Sequence, residues 1–460
     1  MGDFVHPEEL THFIESIRPF QIAEIGTPKW LDVHEMILKL SQQAFLEAIE
    51  HREEEVKEML ITNDKLKVLI HEVFGVFLWK TRVLPHLLNI DPNPEATFMI
   101  YTVLYHEGAV MSLLDVALYH ESACQVLQDS AIDLVDYCAQ AVAQVIGLVS
   151  MGYHENETNL DVDASILSEL ERQKRDLMYK IGLRSISILN YMSVNVNALP
   201  LSASRRMVVT HDVPWLMADL LHFRPWQRKT KKGLEKYIDD KWIIVEGDEA
   251  TKVVKHEAQA WVCMRQILFN SNLMQNYEIS EERRKRLAGC QSLLHECLLD
   301  QLPPLVDLKQ FLINLSVSTT SSSKSTSTKS NLLLEEVPEI RERLIAETEK
   351  FGGFVEIAKR QEDIFLCKDK EKISNIAKRL NAAYNTDLLA ELEQKILETR
   401  KESASTSGGV TKTDEVDKYI CGNCLVKAKK KCSHCKSIYY CSRKCQLNDW
   451  PKHKKNCVKV

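Results

Sequence analysis

Seven cysteines and one histidine crowd the C-terminal end of this chain in the spacing C-x2-C-x7-C-x2-C-x5-C-x3-C-x7-H-x3-C, as Cys421, Cys424, Cys432, Cys435, Cys441, Cys445, His453 and Cys457. Eight such ligands make two tetrahedral sites, and thiolate with imidazole is the donor set that zinc takes. The two CxxC pairs suit tight knuckles whose sulfurs converge on one ion. Cys441 and Cys445, like His453 and Cys457, are four apart, so each pair lies on one face of a helical turn. Few large apolar residues stand between the ligands: Leu425, Val426, Ile438, Tyr439, Tyr440, Leu447 and Trp450. That is too little to fold so small a domain. The metal must do the folding, with a contribution on the order of 10 kcal/mol or more. Protein fills all four positions of each ion, which marks structural rather than catalytic zinc. Spacing alone leaves the pairing open, in order or interleaved.

The remaining cysteines, Cys124, Cys138, Cys263, Cys290, Cys297 and Cys367, are scattered through apolar sequence. They read as small buried hydrophobes in a reducing compartment. No stretch approaches ~18 consecutive apolar residues, so no membrane span is expected. The start, MGDFVHPEEL, has no signal-peptide pattern, which points to cytosol or nucleus. Charge is uneven. Residues 417–460 hold 12 Lys+Arg against 2 Asp+Glu, a balance of +10 in a chain whose total is −6, so the rest carries −16. Seven thiolates and two Zn²⁺ would lower the finger's balance to about +7. A basic tail of this kind suits acidic protein surfaces. Its lysines are not interleaved with a series of base-stacking aromatics, so nucleic acid is not an expected partner.

Residues 1–315 predict helix after helix. Cys124, Leu127, Ala131, Leu134, Cys138, Val142 and Val145 fall on one helical face. The segment 98–119 is apolar almost all round and must sit inside a larger assembly. Breaks are expected at Asp91–Pro94, Met151-Gly152, Ala198–Pro200 and Pro303-Pro304. Lys236–Ile238 and Lys241–Val245 around Asp239-Asp240 predict a β-hairpin. The expected class is mostly α, an armadillo/HEAT-like helical array with a small C-terminal finger. Residues 316–330 are a Ser/Thr-rich stretch that reads as a disordered spacer. Further helices follow over 331–400, then a linker at 401–416 and the finger at 417–460.

The chain lacks a P-loop, a GxGxxG after a strand and a GxSxG. The pairs His106-Glu107, His120-Glu121, His154-Glu155 and His256-Glu257 never extend to HExxH. They read as ordinary helix-surface or helix-end pairs. No enzyme activity is expected.

The stretch YYCSRKCQLNDWPKHKKNC, with the whole 421–457 spacing, resembles a MYND finger. That family is cross-braced. The resemblance implies Cys421, Cys424, Cys441 and Cys445 on one zinc, and Cys432, Cys435, His453 and Cys457 on the other. His434, inside the second CxxC, is read as solvent-facing. MYND fingers bind short proline-containing peptides, and the family's groove positions match Gln446 and Trp450. An indole gives a proline ring a flat apolar partner. MYND lysine methyltransferases carry the finger inside a β-rich catalytic domain, which the helical sequence here does not resemble.

Trp79-Lys80, Asp133–Cys138, Leu298–Pro303 and Val337–Ile340, with the helical body ahead of the finger, are similar to a family of dynein-arm assembly factors of ciliated animals. That resemblance implies a cytoplasmic factor, also at centrosomes and centriolar satellites, for pre-assembly of inner and outer axonemal dynein arms. Its partners would be a leucine-rich-repeat assembly protein and heat-shock chaperones, with dynein chains as clients. The alternative is a nuclear corepressor adaptor, another use of MYND fingers.

Overall fold

In the computed structural model, the nearly all-apolar helix Phe98–Ala117 lies at the centre of the body, packed against helices Pro28–Glu50, Leu66–Leu78 and Ile166–Val194. Its Ile100, Val103, Val110, Leu113 and Leu114 are fully buried. The structure describes residues 3–95, 97–156, 165–317, 338–384, 430–431, 439–440 and 443–454. The chain divides into two units, Met1–Leu392 and Glu393–Val460. The first is overwhelmingly helical, so the mostly α class holds. The apolar face from Cys124 to Val145 is buried as expected. It runs over two helices rather than one, Glu121–Val126 and Ser130–Ser150, because Gln128 turns the chain at φ 48°.

The expected hairpin forms the second and third strands of a three-stranded antiparallel sheet. Strand β2 (Gly233–Ile238) pairs with β3 (Lys241–Ile244) so that Tyr237 faces Trp242 and Ile238 faces Lys241. Asp239 and Asp240 both take positive φ, 47° and 58°. This is the turn that matches the twist of two short strands. Strand β1 (Gln227–Thr230) adds to the other edge of β2. Its sequence, Gln-Arg-Lys-Thr, carries no apolar alternation and hides it from a periodicity reading.

The helices beyond the Ser/Thr-rich stretch do not form a block of their own. Helices Glu339–Glu349, Gly353–Phe365 and Lys370–Tyr384 return to the first third of the chain. Gln361 accepts a 2.8 Å hydrogen bond from Trp79 Nε1 and donates to the carbonyls of Ile22 and Ile25. Phe365 packs on the Trp79 ring and fills the space where a side chain at Gly26 (φ 87°) would stand. Arg379 reaches Asp32 and Glu35. In a stacked repeat array each unit touches its neighbours. Here elements more than 300 residues apart are joined, a closure that sequential stacking alone does not provide. Ser316 and Val317, placed in the spacer by composition, still belong to helix Leu305–Val317; residues 318–330 and the linker at 401–416 lie outside the described residues.

Two polar clusters sit in this core. Lys80 Nζ donates to both oxygens of Glu107 at 2.7 and 2.5 Å, and Tyr137 donates to the same carboxylate at 2.7 Å. His106 Nδ1 lies 3.0 Å from His34 Nδ1, and its other nitrogen lies 3.8 Å from Glu72. Burial pushes the Glu72 carboxyl up, but the imidazoles of His106 and His71 outweigh it and hold it below its ordinary value. The surface reading of His106-Glu107 is therefore wrong: both are buried, and Glu107 is tolerated because it is paired and hydrogen-bonded. His120-Glu121 does sit at a helix start. Four of the scattered cysteines are buried, whereas Cys297 is exposed and Cys367 half-buried.

Among the described residues, helix Ser130–Ser150 alone is long and apolar enough to cross a membrane. It is instead enclosed by helices Ile166–Val194, Val213–Phe223 and Leu66–Leu78.

Candidate functional site

In the second unit, strands β4 (Lys430–Lys431) and β5 (Tyr439–Tyr440) pair antiparallel, and helix Arg443–His453 follows them. A helix advances about 100° per residue, so positions 445, 449 and 453 fall within one quarter of its circumference. That face is turned inward. His453 is buried and Cys445 half-buried. Between them Asp449 accepts a 2.7 Å hydrogen bond from the buried Tyr440 hydroxyl, which ties the middle of the helix to β5. The Tyr440 and Trp450 rings both meet His453 edge-on, at 6.2 and 5.9 Å between centroids.

Cys445 and His453 therefore project from the same side of one helix. A thiolate and an imidazole on that face suit zinc. The other expected ligands, Cys421, Cys424, Cys432, Cys435, Cys441 and Cys457, and also His434, lie outside the described residues. Among the described residues the structure thus positions two of the eight.

Of the two expected groove residues, Gln446 is half-buried at the flank of the helix and Trp450 is 38% exposed. Trp450 presents one part of its indole outward and rests another part on His453. Leu447, counted from sequence only among the finger's few apolar residues, is 63% exposed one turn before Trp450. Its signal was present: a leucine three residues from the proposed contact shares its face. Pro451 continues the helix and has no N–H, so the carbonyl of Leu447 lacks the donor that residue 451 would otherwise supply.

The MYND finger family matches residues 421–457, and a MYND finger implies zinc binding and suggests contact with other proteins. Over 82 residues, 17% of this chain and 9% of the other, the chain is 37% identical to ubiquitin carboxyl-terminal hydrolase 15 of Arabidopsis thaliana. Over 68 residues it is 35% identical to protein CBFA2T2 of Xenopus laevis, covering 15% and 12% of the two chains. No solved structure matches the chain. Similarity to the zinc finger MYND domain-containing protein 10 homolog of Drosophila melanogaster is of another order: 60% identity over 462 residues, covering both chains from end to end. The chain belongs to the family of that MYND domain-containing protein.

Proposed function

We propose that the protein is a non-enzymatic adaptor and co-chaperone for the cytoplasmic pre-assembly of axonemal inner and outer dynein arms, needed for ciliary motility. The observation that carries this reading is identity with the family across the helical body as well as the finger. A shared finger alone would leave the role open. In this reading the finger holds two zinc ions, cross-braced as Cys421, Cys424, Cys441 and Cys445 on one and Cys432, Cys435, His453 and Cys457 on the other. It captures protein partners with Gln446 and Trp450. Those partners are a leucine-rich-repeat assembly protein and heat-shock chaperones, and the clients are dynein chains. The protein works in the cytoplasm and at centriolar satellites.

Affinity capture of the full-length protein from ciliating cells, beside a Cys441→Ala variant, tests this. Axonemal dynein chains and chaperones should be recovered, and part of the set should vanish with the variant. A set made of chromatin proteins would transfer the finger to the corepressor role and end the assembly reading.

A further inference from the structure

Arg443, Leu447, Trp450 and Lys454 fall on one stripe of the finger helix and its last turn, at i, i+4, i+7 and i+11. All four are exposed. The stripe is turned about 130° around the helix from the inward face of Cys445, Asp449 and His453, and Trp450, at the edge nearer that face, still touches His453. Its centre is apolar and each end carries a cation. Lys444, also exposed, adds charge beside Arg443. The one carboxylate of the helix, Asp449, is turned inward and engaged by Tyr440. Among the described residues no carboxylate pairs with Arg443, Lys444 or Lys454.

From this arrangement we infer that the finger selects an extended peptide with an apolar or proline centre and acidic residues on both sides. The inference rests on the finger being a peptide-binding module and adds the chemistry of its ligand. Eleven residues of helix rise about 16 Å, which an extended chain covers in about five residues. The acidic groups are therefore spaced by roughly that length. Leu447 and Trp450 take the centre. Cations at the rim discriminate by charge and speed encounter, and salt weakens both effects. The Leu447 carbonyl, left without its helical donor by Pro451, offers the ligand's backbone an acceptor at the middle of the stripe.

The test uses full-length, zinc-loaded protein and three labelled peptides with one Pro-Leu-Pro centre, flanked by aspartates, serines or lysines, followed by fluorescence anisotropy. The aspartate peptide should bind at least tenfold more tightly than the serine peptide at low salt, and the lysine peptide most weakly. Raising the salt should close the gap. A protein carrying Arg443→Glu and Lys454→Glu, with its zinc content unchanged, should reverse the order. Equal binding of the aspartate and serine peptides, or an unchanged order in the charge-reversed protein, would overturn this inference and leave peptide binding by the finger standing. Failure of all three peptides to bind would overturn both.

Discussion

The body and the finger solve the problem of folding in opposite ways. Among its described residues the body buries a continuous set of large side chains, with Trp30, Trp79, Trp226 and Trp261 fully enclosed. The finger has Tyr440 and little else of that kind among its described residues. Burial of apolar area sustains the first, and metal–ligand bonds must sustain the second. The body can therefore hide polar clusters such as Glu107 with Lys80 and Tyr137, while the finger can leave Leu447 and Trp450 outside. A domain that does not need its apolar residues for a core is free to present them to a partner.

The strongest way to break this contrast is to remove the metal. Chelation, or Cys445→Ser, should cost the finger on the order of 10 kcal/mol and unfold it, while thermal unfolding of the body followed by circular dichroism stays unchanged. A shift in the body's transition would show that the two folds are not independent.

Phe365→Ala addresses the closure of the body. The side chain is buried against Trp79 and Gly26, so its loss should cost about 3–5 kcal/mol, read as a lowered urea midpoint. Fluorescence of Trp79 should report the same transition. Were helices 339–384 an independent block, the Trp79 transition would not move.

These two regions also differ in how far they could be read from sequence. Ligand spacing announces the finger because coordination chemistry tolerates few patterns. The body announces its helices through apolar periodicity, but not their meeting points. Nothing in Gln361 or Phe365 marks them as the residues that close helix 353–365 onto Ile22, Ile25 and Trp79, since that depends on tertiary geometry. Residues His106 and Glu107 misled for the same reason: polarity suggests the surface until the partners Lys80 and Tyr137, far off in sequence, are brought alongside. Strand β1 was hidden because its residues are polar and only pairing with β2 makes it a strand. From sequence Leu447 reads as one of the finger's few core residues, and its exposure shows only once the helix is placed.

Asp133 sharpens the account of the closure. Its carboxylate accepts from the Ile340 backbone N–H at 3.2 Å, at the start of a returning helix. Burial raises its pKa from 3.8 to about 6, against the lowering effect of that hydrogen bond. Because the folded value lies above the unfolded one, its stabilising contribution is complete below about 3.8 and is lost as pH rises through about 6. Asp133→Asn keeps the acceptor and removes the charge. The variant should be at least as stable as the parent at pH 7, with the difference vanishing near pH 4. Melting temperatures measured across that range check it, and a variant that is less stable at pH 7 would contradict it.

The smallest effect on stability should come from the finger's outer face. Trp450→Ala should leave zinc content and melting within experimental error, roughly ±0.5 kcal/mol, while weakening partner capture. Loss of zinc in this variant would mean that the indole serves the finger's core rather than a partner.

Hydrogen–deuterium exchange on the full-length protein, with and without a zinc chelator, tests the central contrast most directly. Chelation should abolish protection in peptides spanning residues 421–457 and leave the core helices, such as Phe98–Ala117 and Gly353–Phe365, unchanged. Protection that survives in the finger after zinc is removed, or that is lost from those core helices, would contradict it.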